Sequence, residues 1–220
     1  VFGIRYLNVT SLASTTVVET KITSVLKYGV ATGITEVTGN ISLLIAAKTL
    51  NNSLGSNELG VFTYAITLAQ GLLVPISYTV PLLFKRWIVQ PDATGSMKVG
   101  ISVFMVLCIL ALVVRFILND VVPIYWLGDY SSMIDFLWIL LLAAAFDGCQ
   151  KVISVHANAQ GVPWLAASSE IVRLVTVVTG ITFWPIVQAR DVASIVCVGA
   201  MLSLMISIFG FRRIKTTTAV

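Results

Sequence analysis

The chain has 220 residues, of which 57% are hydrophobic and only 11% are charged, and its formal net charge is +4. Soluble domains carry about 25% charged residues, so this chain has too few polar side chains to cover a globule in water. Its basic residues are scattered and accompany no basic-aromatic motif, which argues against nucleic-acid binding. The composition therefore predicts an integral membrane protein.

Six segments are long and apolar enough to cross a bilayer, because a hydrocarbon core about 30 Å thick needs about 20 residues of helix. In chain order they are 25–48, 59–84, 97–118, 133–157, 164–187 and 192–211. We expect residues 1–23 to form a polar cytoplasmic segment, 24–215 a six-helix membrane domain, and 216–220 a short polar tail. The connections are short and turn-like, which leaves no room for a soluble catalytic domain.

The distribution of Lys and Arg predicts the orientation in the membrane. One side collects nine basic residues: Arg5, Lys21, Lys27, Lys85, Arg86, Lys98, Arg212, Arg213 and Lys215. The loops on the other side hold only Arg190. We therefore expect both termini in the cytoplasm, which agrees with an even number of spans. On the opposite side, the stretch PIYWLGDY contains Tyr125, Trp126 and Tyr130 and is typical of an interfacial aromatic belt.

Two candidate acid–base pairs lie inside the fourth and fifth spans. An ionisable group in hydrocarbon costs about 2.5–3.5 kcal/mol on insertion scales, so such groups persist where they face each other or water. Asp147 and Lys151 are spaced i, i+4, and Glu170 and Arg173 are spaced i, i+3, so each acid can pair with its neighbouring base. Lys151 and Arg173 together predict a cationic vestibule. The alternative is structural, with Lys151 snorkelling to the headgroups and the second pair lying near the interface.

Three further features of the spans bear on function. Glu36 lies in the middle of the first span with no basic residue within one turn, so it is either a site for a coupling proton or cation or a protonated acid in a polar interface. Pro75 and Pro81 interrupt the second span, as a structural kink or as a gating hinge. His156, at the end of the fourth span, is expected to be a solvated or capping histidine.

The sequence predicts no enzyme. It contains no Ser-His-Asp, HExxH, P-loop or GxGxxG arrangement. The three cysteines, Cys108, Cys149 and Cys197, lie in apolar stretches without a CxxC pair or a histidine at ligand spacing. We therefore expect buried free thiols, no metal and no cofactor.

The stretch LKYGVATGITEVTGNISLLIAAKTLNNSLGSNELGVFTYAITLAQGLLVPISYTVPLLFKRW resembles a repeat of the multidrug/oligosaccharidyl-lipid/polysaccharide (MOP) exporter superfamily. Halves of those proteins begin with a helix, a "G..E.G.Y" turn and a second helix that ends at a basic cytoplasmic patch. The matching residues here are Gly55–Gly60 with Glu58, Tyr64, and the patch Lys85–Arg86. The later stretch GDYSSMIDFLWILLLAAAFDGCQKVISVHANAQGVPW resembles the C-terminal half, with Gly128 and Gly161 in its turns.

The resemblance covers about residues 20–215 and is nearest to polysaccharide flippases of the Wzx type. It implies one six-helix half, the C-terminal one, of an alternating-access bundle in the bacterial cytoplasmic membrane. A missing N-terminal half, a second copy or a partner chain would supply the other half. The implied substrate is an undecaprenyl-pyrophosphate-linked oligosaccharide. Lys151 and Arg173 would attract its headgroup, and Asp147 and Glu170 would hold these bases in place.

Two other functions stay open beside the flippase. The first is a cation-coupled, MATE-like multidrug exporter, in which Glu36 or Asp147 carries the coupling ion. An apolar, acid-lined cavity would distinguish it from a flippase with a basic cavity. The second is a non-transporting membrane subunit that keeps one half of the fold.

Overall fold

A computed structural model describes residues 15–89, 93–118 and 132–217. Within these ranges the chain is helical, with a π-helical turn at Val114–Leu118 after the fourth helix. The α-helices are α1 (Thr15–Leu54), α2 (Ser56–Gly71), α3 (Val74–Val89), α4 (Ala93–Val113), α5 (Ile134–Ala159), α6 (Trp164–Phe183) and α7 (Ala189–Thr217). Six stretches can cross a membrane by length and composition, with α2 and α3 sharing one of them. The predicted all-α, six-helix membrane bundle is confirmed.

Some sequence predictions fall outside the described residues. The predicted aromatic belt of PIYWLGDY, the turn at Gly128, and most of the polar N-terminal segment and tail belong to this group. The part of that segment that is described, from Thr15 onward, belongs to α1.

Helix α1 is longer than the predicted first span. It contains 40 residues, so it is about 60 Å long, twice the thickness of a hydrocarbon core. Hydropathy detects only the part that matches the bilayer, and the polar residues before it continue the same helix. The helix ends at Leu54 because Gly55 has a φ of 93°, a left-handed conformation that glycine adopts without a Cβ clash.

The predicted second span is broken in its middle. Helix α2 ends at Gly71, and α3 begins at Val74 after a turn in which the Leu73 amide donates to the Gln70 carbonyl at 2.9 Å. Pro75 explains the break, because proline has no N–H and its ring clashes with the carbonyl four residues earlier in a regular helix. Pro81 lies inside α3 and does not end it.

The two ends of the bundle differ. We call the end with the α1–α2 turn at Gly55 the upper end, and the end with the α5–α6 turn the lower end. The upper half is closed by an apolar cluster of α1, α2, α5 and α7, in which the rings of Phe62 and Phe136 lie 6.0 Å apart. Helix α5 is the most buried span and packs against α3, α4 and α7. The lower half holds the cavity described below.

Glycines allow the helices around α5 and α6 to approach closely. A Cβ on Gly148 would lie 2.8 Å from Val103 and 3.1 Å from Leu73, and a Cβ on Gly210 would overlap Leu165. Membrane helices pack through such small residues because lipid offers no hydrophobic force to drive them together. Gly148 thus places α5 directly against the broken span.

Candidate functional site

A cavity of about 460 Å³ lies between α1, the α2–α3 break, α5 and α6. It reaches from the lower end of the bundle to the middle of the spans, where Asn40, Gln70 and Arg173 lie. The five ionisable candidates for substrate binding, charge pairing or coupling all line it: Glu36, Asp147, Lys151, Glu170 and Arg173. Hydroxyl and amide side chains from the same helices complete its polar surface, among them Thr32, Ser77, Gln150 and Asn158.

Arg173 of α6 contacts two carboxylates, Asp147 on α5 and Glu170 on its own helix. Its Nη1 lies 3.0 Å from Asp147 Oδ1 and 3.8 Å from Glu170 Oε2. The side chains are 8%, 18% and 11% exposed, respectively, so the group is almost dry. The predicted Glu170–Arg173 pair is present, but the shorter contact joins different helices. A guanidinium buried at this depth is stabilised by such charge-assisted bonds.

The predicted pairing of Asp147 with Lys151 is wrong. Asp147 bonds Arg173 instead, and the Lys151 Nζ donates to Ser77 Oγ at 2.8 Å. The Ser77 hydroxyl in turn donates to the Leu73 carbonyl at 2.9 Å. Lys151 therefore ties α5 to the start of α3, beside the break. In the described part of the chain, no carboxylate oxygen lies within 4 Å of the Lys151 amine.

The two predicted cations consequently differ in what they offer. Arg173 is buried and already bonded to a carboxylate, whereas Lys151 is exposed to the cavity and, among the described residues, is bonded only to a hydroxyl. The structure brings both to one cavity, but the surface is not a uniformly cationic vestibule.

Gln150 is a residue that the sequence argument missed. It is 4% exposed, and its Nε2 donates to Ser169 Oγ at 2.8 Å and to Glu170 Oε1 at 3.0 Å. It therefore fixes the carboxylate of Glu170 beside Arg173. A signal was present, because α5 carries polar residues at a spacing of three and four that places them on one face: Asp147, Gln150, Lys151, Ser154 and Asn158.

Glu36 lies on the α1 wall and is exposed to the cavity. It follows Thr32 and precedes Asn40 at i, i+4 spacing, so one face of α1 is polar over about two turns. Helix α1 also passes close to α6, because a Cβ on Gly39 would lie 3.6 Å from Glu170 Oε2. The acids Glu36 and Glu170 thus share the α1–α6 side of the cavity, and Lys151 lies on the α3–α5 side.

His156 does not belong to the cavity. It is 2% exposed and packs between the rings of Trp87 and Phe211, with centroid distances of 5.1 and 5.0 Å. The prediction of a solvated or capping histidine is wrong because α5 continues to Ala159 and His156 faces α3 and α7 rather than the end of the helix.

The described residues contain no group of three His, Cys, Asp or Glu side chains that could hold a metal ion. The cysteines Cys108, Cys149 and Cys197 are free thiols.

Comparisons with protein-family models, with curated proteins and with solved structures find no match to this chain.

Proposed function

We propose that this chain is one half of an alternating-access exporter that moves a lipid-linked oligosaccharide across a membrane. The observation that carries the proposal is the polar cavity, which ends at the middle of the spans below a closed apolar half. Intramembrane ionisable residues are costly, and they commonly line the path of a polar substrate or ion. A flippase needs such a path for the headgroup, while the lipid chain stays in the bilayer.

The chemistry of the lining supports a glycan headgroup. Hydroxyl and amide groups both donate and accept hydrogen bonds, as the hydroxyls of a sugar require, and Thr32, Asn40 and Gln70 supply them. Lys151 is a compact point charge suited to a phosphate. In this proposal Lys151 binds the pyrophosphate, and Arg173, held by Asp147, positions the cavity wall rather than binding the headgroup itself.

A single six-helix unit leaves one side of this path open. Glu36, Asn40 and Gln70 are exposed, and such polar side chains are unfavourable against acyl chains. In the proposal a second six-helix unit faces α1 and the α2–α3 span and completes the path, with the remaining surface in contact with membrane lipids. The membrane is the bacterial cytoplasmic membrane, with the lower end in the cytoplasm.

The charge balance favours a second candidate, a cation-coupled exporter. Three carboxylates and two cations line the cavity, Glu36, Asp147 and Glu170 against Lys151 and Arg173, which gives 2 − 3 = −1 when all are ionised. A site with this excess suits a coupling proton. Glu36→Gln is then the informative substitution, because it removes the acid that has no ion-pair partner among the described residues.

Transport in vesicles containing the full-length protein tests the proposal. We expect Lys151→Ala to weaken the apparent affinity for a polyprenyl-pyrophosphate-linked oligosaccharide about tenfold or more, since a hydrogen bond to a charged group contributes about 1.5–3 kcal/mol. Lys151→Arg, which keeps the charge, should retain most of the affinity.

Unchanged apparent affinity in a well-folded Lys151→Ala variant would contradict the role of Lys151, and no glycan-lipid transport by the unsubstituted protein would contradict the flippase assignment. If Glu36→Gln instead removes a dependence of transport on the cation gradient, the cation-coupled exporter is the better assignment.

A further inference from the structure

The α5–α6 turn forms the lower boundary of the cavity. Asn158, before the turn, and Pro163, after it, both line the cavity. Gly161 has a φ of 81°, which permits the tight reversal. Its amide donates to the Asn158 carbonyl at 3.0 Å, and the Val162 amide donates to the Ala157 carbonyl at 3.0 Å. The turn is therefore a well-defined platform between two helices of the cavity wall.

Two side-chain hydrogen bonds connect this platform to the opposite walls. The Tyr28 hydroxyl of α1 donates to the Asn158 carbonyl at 2.8 Å. The Gln160 Nε2 donates to the Trp87 carbonyl of α3 at 2.9 Å. Helices α1 and α3 thus meet at one turn, although they belong to different sides of the cavity.

The two connections are unequal. On the α3 side, Trp87 is 4% exposed and its ring packs at a tilted angle against His156, so packing reinforces the hydrogen bond. On the α1 side, Tyr28 is only partly buried, and the residues around it on α1, Leu26 and Val30, are 60% and 51% exposed. The Tyr28 bond is therefore the weaker of the two connections.

We propose that Tyr28, Gln160 and the α5–α6 turn form a clasp that limits how far α1 and α3 separate at the lower mouth of the cavity. Opening of the mouth begins when the Tyr28 hydroxyl leaves the Asn158 carbonyl, while Trp87 keeps α3 on the turn. Both bonds join neutral groups, so the clasp works independently of the charge on the cavity lining. The clasp acts in the same way whatever the substrate is.

The access of a thiol reagent to the cavity measures the clasp directly. The full chain, with Cys108, Cys149 and Cys197 replaced by Ala and with Ser154→Cys as a reporter on the cavity wall, is placed in lipid nanodiscs without substrate. Loss of one neutral hydrogen bond changes an opening equilibrium about fivefold. We expect Tyr28→Phe to raise the rate of reaction with a membrane-impermeant maleimide by about that factor, and Gln160→Ala to raise it further in the double variant.

Tyr78→Phe is the matched control, because Tyr78 is 75% exposed on α3 and does not line the cavity.

Gly161→Ala tests the turn itself. It keeps both bonding side chains but strains the positive φ of the turn, and it should also raise the rate of reaction with the maleimide. Tyr28→Phe removes only one oxygen atom and is therefore the variant least able to disturb folding. Its rate alone tests the clasp if the double variant does not fold. Equal rates for Tyr28→Phe, Gly161→Ala and Tyr78→Phe would overturn the clasp. The assay contains no transport step, so this result and the failure of the proposed exporter are distinguishable.

Discussion

At the scale of single residues, Arg173 determines the charge balance of the dry part of the cavity. It is the common partner of Asp147 and Glu170, and Gln150 holds the second acid in place. A charge buried without its partner is far more costly than a complete pair. The role of Arg173 is therefore structural in the first instance.

Removing Arg173 should destabilise the folded protein. We expect Arg173→Ala to lower the free energy of unfolding by about 3–5 kcal/mol, since it leaves two buried carboxylates uncompensated. Thermal unfolding in detergent measures the effect, with Arg190→Ala as the control because Arg190 is exposed. Adding Asp147→Asn and Glu170→Gln to Arg173→Ala should restore part of the loss. An Arg173→Ala variant as stable as the control would contradict this account.

The ionisable residues of the cavity were predictable from the sequence, but the pairing of its acids with its bases was not. Residues four apart on one helix are local neighbours, so Lys151 was the natural partner for Asp147. Which acid meets which base depends on how α5 and α6 rotate and cross, and hydropathy does not encode that rotation. His156 shows the same limit, because its environment comes from Trp87 and Phe211 on two other helices.

At the scale of elements, the break between α2 and α3 shapes the cavity. It lies in the middle of a span, next to the closely packed Gly148, and it places Gln70 and Ser77 on the cavity wall. Discontinuous helices near the bilayer centre commonly accompany binding sites in transporters, because their freed backbone groups face a polar space. Pro75 is the residue that keeps the two helices separate.

Substituting Pro75 should merge α2 and α3. Pro75→Ala restores an N–H for the Gly71 carbonyl and removes the ring clash, so we expect slower hydrogen exchange for a peptide covering 70–76. Pro81→Ala is the control, since Pro81 already lies within a helix and its replacement should leave exchange at 70–76 unchanged. Unaltered exchange in Pro75→Ala would show that the break does not depend on the proline.

The spans themselves were largely predictable, because length and apolarity are direct requirements of the bilayer. The helix boundaries differ from the predicted spans at two places. Helix α1 continues through polar residues outside the hydrocarbon, and the second span divides at a proline that hydropathy counts as a mild interruption. Pro75 and Pro81 are equivalent interruptions in the sequence. Only the structure shows that the helix breaks at Pro75 and continues through Pro81.

At the scale of the whole molecule, the orientation follows from charge and stays a prediction. We expect the lower end in the cytoplasm, because Lys27 in α1 and Lys98 in α4 lie towards that end and belong to the nine basic residues that the sequence assigns to the cytoplasmic side. In a cysteine-free background, Ser56→Cys at the upper end should react with an impermeant thiol reagent in intact cells. Lys98→Cys should react only after the membrane is permeabilised. The reverse pattern would invert the orientation.

The closed apolar upper half also determines where the electric field lies. A polar cavity filled with water conducts ions, so the membrane voltage falls mainly across the cluster around Phe62 and Phe136 rather than along the whole span. A charge that leaves the neighbourhood of Arg173 for the upper side then crosses nearly the full potential, about 2.3 kcal/mol per elementary charge for each 100 mV. In the proposed exporter, the last step of transport, and not the first, is therefore the one that is sensitive to voltage.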